Sequence, residues 1–480
     1  MMHVAFDAAR SLLIGGRWEA ADATMDVLDP WSGAALGAVA CADVSHVERA
    51  VAAAVHGAAA MRELPTGARS RILHAAALVL EADGERFAAA ITAETGKSIR
   101  SAAREVARAV NTLRLSAEEA VRLAGETIAF DGFPGGESRS GHYIYEPVGV
   151  VAAITPFNDP LNLVCHKLGP AFAAGNAVVL KPAEQAPLVA IMLARLLLAA
   201  GLPEGALNLL TGRGADFGDA LTSHPDVAMV SFTGGANVGQ AICRSAGIKR
   251  VAMELGGNGP VIVMDDADVD RAAAACVSGA FGAAGQNCIG VQRIYVHDAV
   301  HDHFRAALIA ATRALRVGDP TDPATDIGPM IGAGEAARIA AWIEEAVAGG
   351  ATLLAGGERA GALVRPTLLA DVPDDARVAC REAFGPVASL FRFADLDDAI
   401  DAANRADYAI HAAIFTESIR NARHAARRLR AAGVMINDST DYRLDAMPFG
   451  GAGRGNMGRE GVRFAAREMS QTKVICFHDA

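Results

Sequence analysis

An α/β fold resting on parallel sheets follows from two rhythms in this 480-residue chain and from its composition. From Gly149 onward, short apolar runs alternate with helical stretches, and a second set of the same kind begins at Pro260. Short buried strands joined by helices require right-handed crossovers and a sheet covered on both faces. With 52% hydrophobic and 21% charged residues, the chain can bury a large core of this type.

The elements follow in order. The first quarter carries alanine and charged residues at helical spacing, which predicts helices over 44–61, 69–95 and 99–123. Gly132, Pro134, Gly135 and Gly136 then break the chain, and 140–146 alternates as an extended strand does. The first rhythm predicts strands over 150–155, 177–180, 207–210, 229–232 and 250–253, with helices over 160–174 and 188–200. The segments 155–158, 181–184 and 233–235 then share the carboxyl edge of one sheet, where ligands bind in such folds. The second rhythm predicts strands at 260–264 and 293–296, near 387–393 and 409–415, and over 433–437. Its helices are 267–281, 300–314 and 335–349. The tail, 473–477, reads as a strand with no partner nearby in sequence.

Several function classes are excluded. The net charge of −11 comes with basic and acidic residues interleaved, so neither nucleic acid nor an anionic membrane is an expected partner. The most apolar stretch, 189–202, is interrupted by Arg195 and too short to span a bilayer. Seven cysteines, an odd number without C-x-x-C spacing, point to reduced thiols in the cytoplasm and to no metal site. The first seven residues lack the basic patch and apolar core of a secretory leader.

Three segments carry chemistry. Cys288 lies in Gly285-Gln286-Asn287-Cys288, Glu254 opens Glu254-Leu255-Gly256-Gly257, and Asn158 closes Thr155-Pro156-Phe157-Asn158. They supply a sulfur nucleophile, a base able to activate water, and an amide able to hold an oxyanion. Each has a plainer reading: a packed cysteine, an exposed strand-end carboxylate, a helix N-cap. An unperturbed thiol ionises near pH ~8.5, so the cysteine needs activation. Ser231-Phe232-Thr233-Gly234-Gly235-Ala236-Asn237-Val238-Gly239 follows a strand and opens a helix, where phosphates meet backbone N–H groups. Lys181 and Glu184 offer a cation and a carboxylate at another strand end; the plainer reading is a surface pair. A carboxylate facing a ribose repels a 2′-phosphate, which favours NAD over NADP.

Together these segments resemble the aldehyde dehydrogenase superfamily over nearly the whole chain. Glu382-Ala383-Phe384-Gly385-Pro386 and Pro448-Phe449-Gly450-Gly451 extend the resemblance in the family's order. It implies Cys288 as nucleophile, Glu254 as general base, and Asn158 with the Cys288 backbone N–H as the oxyanion hole. It also implies a nicotinamide cofactor, with Lys181 and Glu184 at the adenosine ribose and Gly214, Gly234, Gly235 and Val238 along the adenine and pyrophosphate. Glu382 and Phe384 fall at the nicotinamide ribose, and Ile154, Thr155, Pro156, Phe157, Phe232 and Leu255 complete the cofactor site. The implied fold is a Rossmann-like cofactor domain (1–128 and 149–256), an α/β catalytic domain (257–462) and a small β oligomerisation element (129–148 and 463–480). A homodimer or homotetramer is implied. Gly235 departs from the serine of many members, and Arg381 replaces a common acidic residue.

The implied reaction is oxidation of an aldehyde to the acid through a thiohemiacetal and a thioester on Cys288. The alternatives are a CoA-acylating dehydrogenase and a non-catalytic NAD-binding protein. For the substrate, Arg100, Arg104 and Arg108 recur on one helix face. The first two read as a solvated face, whereas Arg108 resembles an arginine that grips anionic groups in relatives acting on glyceraldehyde 3-phosphate or phosphonoacetaldehyde. Arg443 adds a second positive charge, expected at the pocket mouth, and Asp159 is a further substrate-side residue. Those relatives often carry arginine where Asn287 stands, and lactaldehyde and glycolaldehyde dehydrogenases are resembled too. The expected substrate is a small polar aldehyde, with an anionic one favoured.

Overall fold

In the computed structural model, residues 11–406, 408–453 and 457–478 are described, and the leader reading of the first seven residues lies outside them. Each of the two rhythms becomes a seven-stranded sheet. In the first, the order is Arg250–Leu255, Val227–Gly234, Val150–Ile154, Ala177–Lys181, Leu207–Leu209, then the antiparallel pair Leu12–Ile14 and Arg17–Glu19. The five strands from 150 onward are parallel, and their valine- and alanine-rich runs are buried on both faces. The chain winds one way from Val150–Ile154 through Leu207–Leu209, then returns to the other side of Val150–Ile154 for Val227–Gly234. That reversal opens a crevice beyond their carboxyl ends.

The second sheet runs Thr352–Ala355, Thr367–Ala370, Val387–Phe393, Val291–His297, Gly259–Val263, His411–Phe415, Gly433–Ile436, parallel except for the first pair. Gly256, Gly257 and Asn258 alone separate its first strand from the last strand of the other sheet. A Cβ on Gly256 would overlap the Glu382 carboxylate, so only glycine fits this crossing. The second sheet thus meets the crevice with the amino ends of its strands. Cys288 precedes Val291–His297, Glu382 and Phe384 precede Val387–Phe393, and Ile410 precedes His411–Phe415.

The orphan tail finds a distant partner. Ser470–His478 pairs antiparallel with Arg139–Pro147, from Ser470↔Pro147 to His478↔Arg139. One expectation needs correction. The stretch 69–95 is two helices, Thr66–Ala82 and Gly84–Thr95, because the chain turns at Asp83. The helix before Cys288 is Val269–Phe281, close to the 267–281 expected, and Ala283 (φ 51°) and Ala284 (φ 54°) after it are left-handed. The four N-terminal strands between Leu12 and Cys41 went unread beside the alanine-rich helices.

Glu94 ties the helical layer to the first sheet. Its buried carboxylate accepts from the backbone N–H groups of Leu188 and Val189, at 2.8 and 3.1 Å, at the start of Leu188–Ala199, which has no side-chain cap of its own. Glu94→Ala leaves those donors unsatisfied and is expected to lower unfolding free energy by about 1–3 kcal/mol, read by urea denaturation. A variant as stable as the parent contradicts this role.

Candidate active site

Two cavities meet at Cys288. One, of about 280 Å³, includes Phe157, Gly234, Glu254, Glu382 and Phe384 in its wall; the other, of about 250 Å³, includes Arg104, Arg108, Asp159 and Asp441. Asn158, Leu163, Cys288 and Arg443 line both. Cys288 is half-buried: it packs against the small apolar cluster of Ile289, Ile410 and Phe449 and still lines both cavities.

Local geometry holds the loop in place. Gly285 has φ +69°, and a Cβ there would collide with the Gly385 carbonyl. The Gln286 side chain accepts from Ile331 N–H at 2.9 Å, and Asn287 Oδ1 accepts from Ile289 N–H at 3.2 Å. Asn287 therefore serves the turn itself. Burial pushes the Cys288 thiol up to about 12; Arg443 opposes this, while the carboxylates of Glu382, Asp159 and Glu254 add to it.

Glu254 is buried, not an exposed strand end. One carboxylate oxygen accepts from Glu460 N–H at 3.3 Å, and the other is buried without a partner. Burial, reinforced by the charge of Glu460, raises its pKa well above the ordinary carboxylate value; Lys167 and Arg443 work the other way. Glu460 is the opposite case. Burial disfavours its charge, but Lys167 (3.3 Å) and Arg443 (2.9 Å) outweigh that and hold its carboxyl down to about 2. Neither Lys167 nor Glu460 was singled out from sequence. The signal was there for Lys167, a lone lysine in the wholly buried helix Asn162–Ala174, since such a cation needs a partner. Asn158 is not an N-cap, because that helix is capped by Leu161; its amide makes no hydrogen bond among the described residues.

A groove of about 860 Å³ continues from the first cavity past Gly235, Val238, Asn258 and Glu382. The helix Ala236–Ala246 starts here without a side-chain cap, so its first N–H groups remain free for an anion. Gly239 lets it approach Leu255, where a Cβ would stand 2.6 Å from Cδ2, and Gly234 packs likewise over Phe232. Lys181 is buried and donates to the Pro182 carbonyl at 3.1 Å, while Glu184 accepts from Gly214 N–H at 2.8 Å. The surface-pair reading therefore fails. Thr155 N–H bonds the Lys181 carbonyl at 3.1 Å, which ties the ends of Val150–Ile154 and Ala177–Lys181 together below Pro156. Glu382 accepts from Gly257 N–H at 3.1 Å, and burial raises its carboxyl to about 7. Phe384 and Phe157 meet edge to face, with ring centroids 5.8 Å apart. Backbone amides, the carboxylates of Glu184 and Glu382 and apolar walls fit a dinucleotide.

In the second cavity the arginines stand otherwise than expected. Arg108 already bonds Asp159 (3.2 Å) and Asp445 (3.0 Å). Arg443 is buried rather than at the mouth, stacked 3.7 Å from the Phe449 ring centroid and paired with Glu460. Arg100 and Arg104 are both exposed, as a solvated face requires; Arg100 bonds Asp326, and Arg104 also lines the cavity.

The sequence matches the Aldehyde dehydrogenase family over residues 18–475. It is 51% identical to "Aspartate-semialdehyde dehydrogenase 1" of Pseudomonas canavaninivorans, over 95% of this chain and 96% of that one. It is 44% identical to "3-sulfolactaldehyde dehydrogenase" of Priestia megaterium, over 97% of each chain. A solved NADP-dependent glyceraldehyde-3-phosphate dehydrogenase from Bacillus halodurans, complexed with NADP, superimposes with a TM-score of 0.96 at 38% identity, covering 98% of this chain and 99% of that one. The fold and crevice define an α/β oxidoreductase, and the chain belongs to the aldehyde dehydrogenase family.

With no cofactor bound, Cys288 should be a slow thiol. Iodoacetamide near neutral pH is expected to label the exposed Cys380 first, and the Cys288 rate should climb about tenfold per pH unit up to about pH 10, read by peptide mass spectrometry. Labelling of Cys288 ahead of Cys380 at neutral pH contradicts the buried resting state.

Proposed function

We propose that this protein oxidises a small polar aldehyde with an anionic end to the carboxylic acid, through a thioester on Cys288 and with NAD as acceptor. The observation that carries the reading is the junction of the two cavities at Cys288, with Glu254 in the wall of one and Asn158 in both. The printed names of the relatives, aspartate semialdehyde and 3-sulfolactaldehyde, describe short aldehydes that each bear an acid group.

Cys288 first gives its thiol proton to water; the thiolate then adds to the carbonyl carbon, and the carbonyl π pair moves to oxygen. The Asn158 amide and the Cys288 backbone N–H donate to that oxyanion, a contribution of about 2.7–4 kcal/mol for one donor in comparable sites. NAD would be held along Gly234, Gly235, Val238, Lys181, Glu184 and Glu382, and would supply the hydride acceptor. Cys288 then carries the acyl group as a thioester. Glu254 takes a proton from water as its oxygen attacks the acyl carbon, and collapse expels the Cys288 thiolate and the acid. Lys167 beside Glu460 tempers the negative charge next to the base.

In this reading, 1–128 with 149–256 form the cofactor domain, 257–462 the catalytic domain, and 129–148 with 463–480 the oligomerisation element. Ser470–His478 lies at the edge of its sheet with Val474 and Phe477 exposed, which supports pairing with a second copy.

Cys288→Ala should abolish NADH formation. Glu254→Gln should leave a stoichiometric NADH burst with slow turnover after it; undiminished steady turnover in either variant refutes the assignment. Deacylation should quicken as pH rises, because a raised pKa moves the base form of Glu254 to higher pH. A rate that falls as pH rises contradicts the role. Product analysis with CoA present should give free acid, and an acyl-CoA product would establish the acylating alternative. Glu184→Gln should lower the NAD-to-NADP ratio of kcat/KM at least about tenfold, since the ribose-facing charge is lost; an unchanged ratio places selectivity elsewhere.

A further inference from the structure

The charges around the second cavity do not all cancel. Four cations line it, Lys97, Arg104, Arg108 and Arg443, with three carboxylates, Glu105, Asp159 and Asp441. Lys97 is shared by Glu105 and Asp159, Arg108 by Asp159 and Asp445, and Arg443 pairs with Glu460. Arg104 and Asp441 are left over, and neither forms an ion pair among the described residues.

These two residues come from different parts of the fold. Arg104 lies on Ile99–Arg122, one helical turn before Arg108, on the side of the first sheet. Asp441 follows Gly433–Ile436 of the second sheet, where Gly279 of Val269–Phe281 packs so closely that a Cβ there would stand 3.4 Å from its Oδ1. Its backbone N–H reaches Ser439 Oγ at 3.5 Å, and the neighbouring charge is another carboxylate, Asp438. A half-buried carboxylate without a counter-cation is costly, and burial accordingly raises its pKa. A purely anionic substrate would be repelled there.

We propose that Arg104 and Asp441 recognise a zwitterion: the aldehyde carries an acid group held by Arg104 and an ammonium held by Asp441, so the substrate is a short α-amino-acid semialdehyde. The proposal rests on Cys288 being the nucleophile in the same cavity. The cavity, of about 250 Å³, has room for a chain of four or five carbons. Arg108, one turn on, lines the same cavity, with Asp159 paired to it and to Lys97.

The test uses two aldehydes that differ only in the ammonium, aspartate β-semialdehyde and succinate semialdehyde, with the full chain and NAD. The unaltered protein is expected to prefer the aminated aldehyde at least about tenfold in kcat/KM. Asp441→Asn should bring the ratio below about three, mainly through KM, and Asp441→Glu should restore part of it. Arg104→Ala should lower kcat/KM for both aldehydes together. A ratio of one or less in the unaltered protein overturns the proposal without any variant, as does a ratio unchanged by Asp441→Asn. If neither aldehyde is oxidised while glycolaldehyde is, the zwitterion fails and aldehyde oxidation stands. If no aldehyde yields NADH, the reading of Cys288 fails with it.

Discussion

The three-residue crossing from Leu255 to Gly259 is the constraint on which the site depends. It joins the carboxyl edge of one parallel sheet to the amino edge of the other with no slack, so the two edges must face each other across a narrow crevice. Glu254 is fixed by register, level with Thr233 on the neighbouring strand, and Cys288 arrives from the opposite sheet on a loop held by Gln286 and Gly285. A longer connection would let the base and the thiol drift apart. The glycines here keep side-chain volume out of the crossing, and Glu382 occupies the space that is left.

Burying so many ionisable groups around one crevice sets their resting states. Glu254 and Glu460 lie side by side and cannot both be charged cheaply. Lys167 and Arg443 favour ionised Glu460, and the proton stays with Glu254. The same desolvation keeps Cys288 a thiol. Both groups therefore favour their protonated forms, and in the proposed mechanism bound groups that change the local charge activate them. In the second cavity the ion pairs around Asp159 and Asp445 fix the wall, and Arg104 and Asp441 are the two charges proposed to read the ligand.

Much of this was legible in the sequence. The strand–helix rhythm follows from residues buried on both faces, and the reactive segments lie where such strands end. The tail strand could be read as a strand, but its partner lies more than three hundred residues away, which local pattern cannot encode. The break at Asp83 was hidden because apolar spacing continues across it. At the site, Cys288, Glu254 and Asn158 were visible as motifs. The pairing of Arg108 with Asp445 and the burial of Arg443 were not, because each depends on elements brought together only by the fold. Arg104 is exposed, as its place on a solvated face implies, but helical spacing does not tell that this face borders the cavity.

The account stands on an acyl group passing through Cys288. Rapid quenching of the Glu254→Gln protein with NAD and a substrate aldehyde, followed by peptide mass spectrometry, measures this directly. The peptide containing Cys288 should carry the added mass of the acyl group, labile to hydroxylamine. An unmodified Cys288 peptide after a full equivalent of NADH has formed would contradict the account.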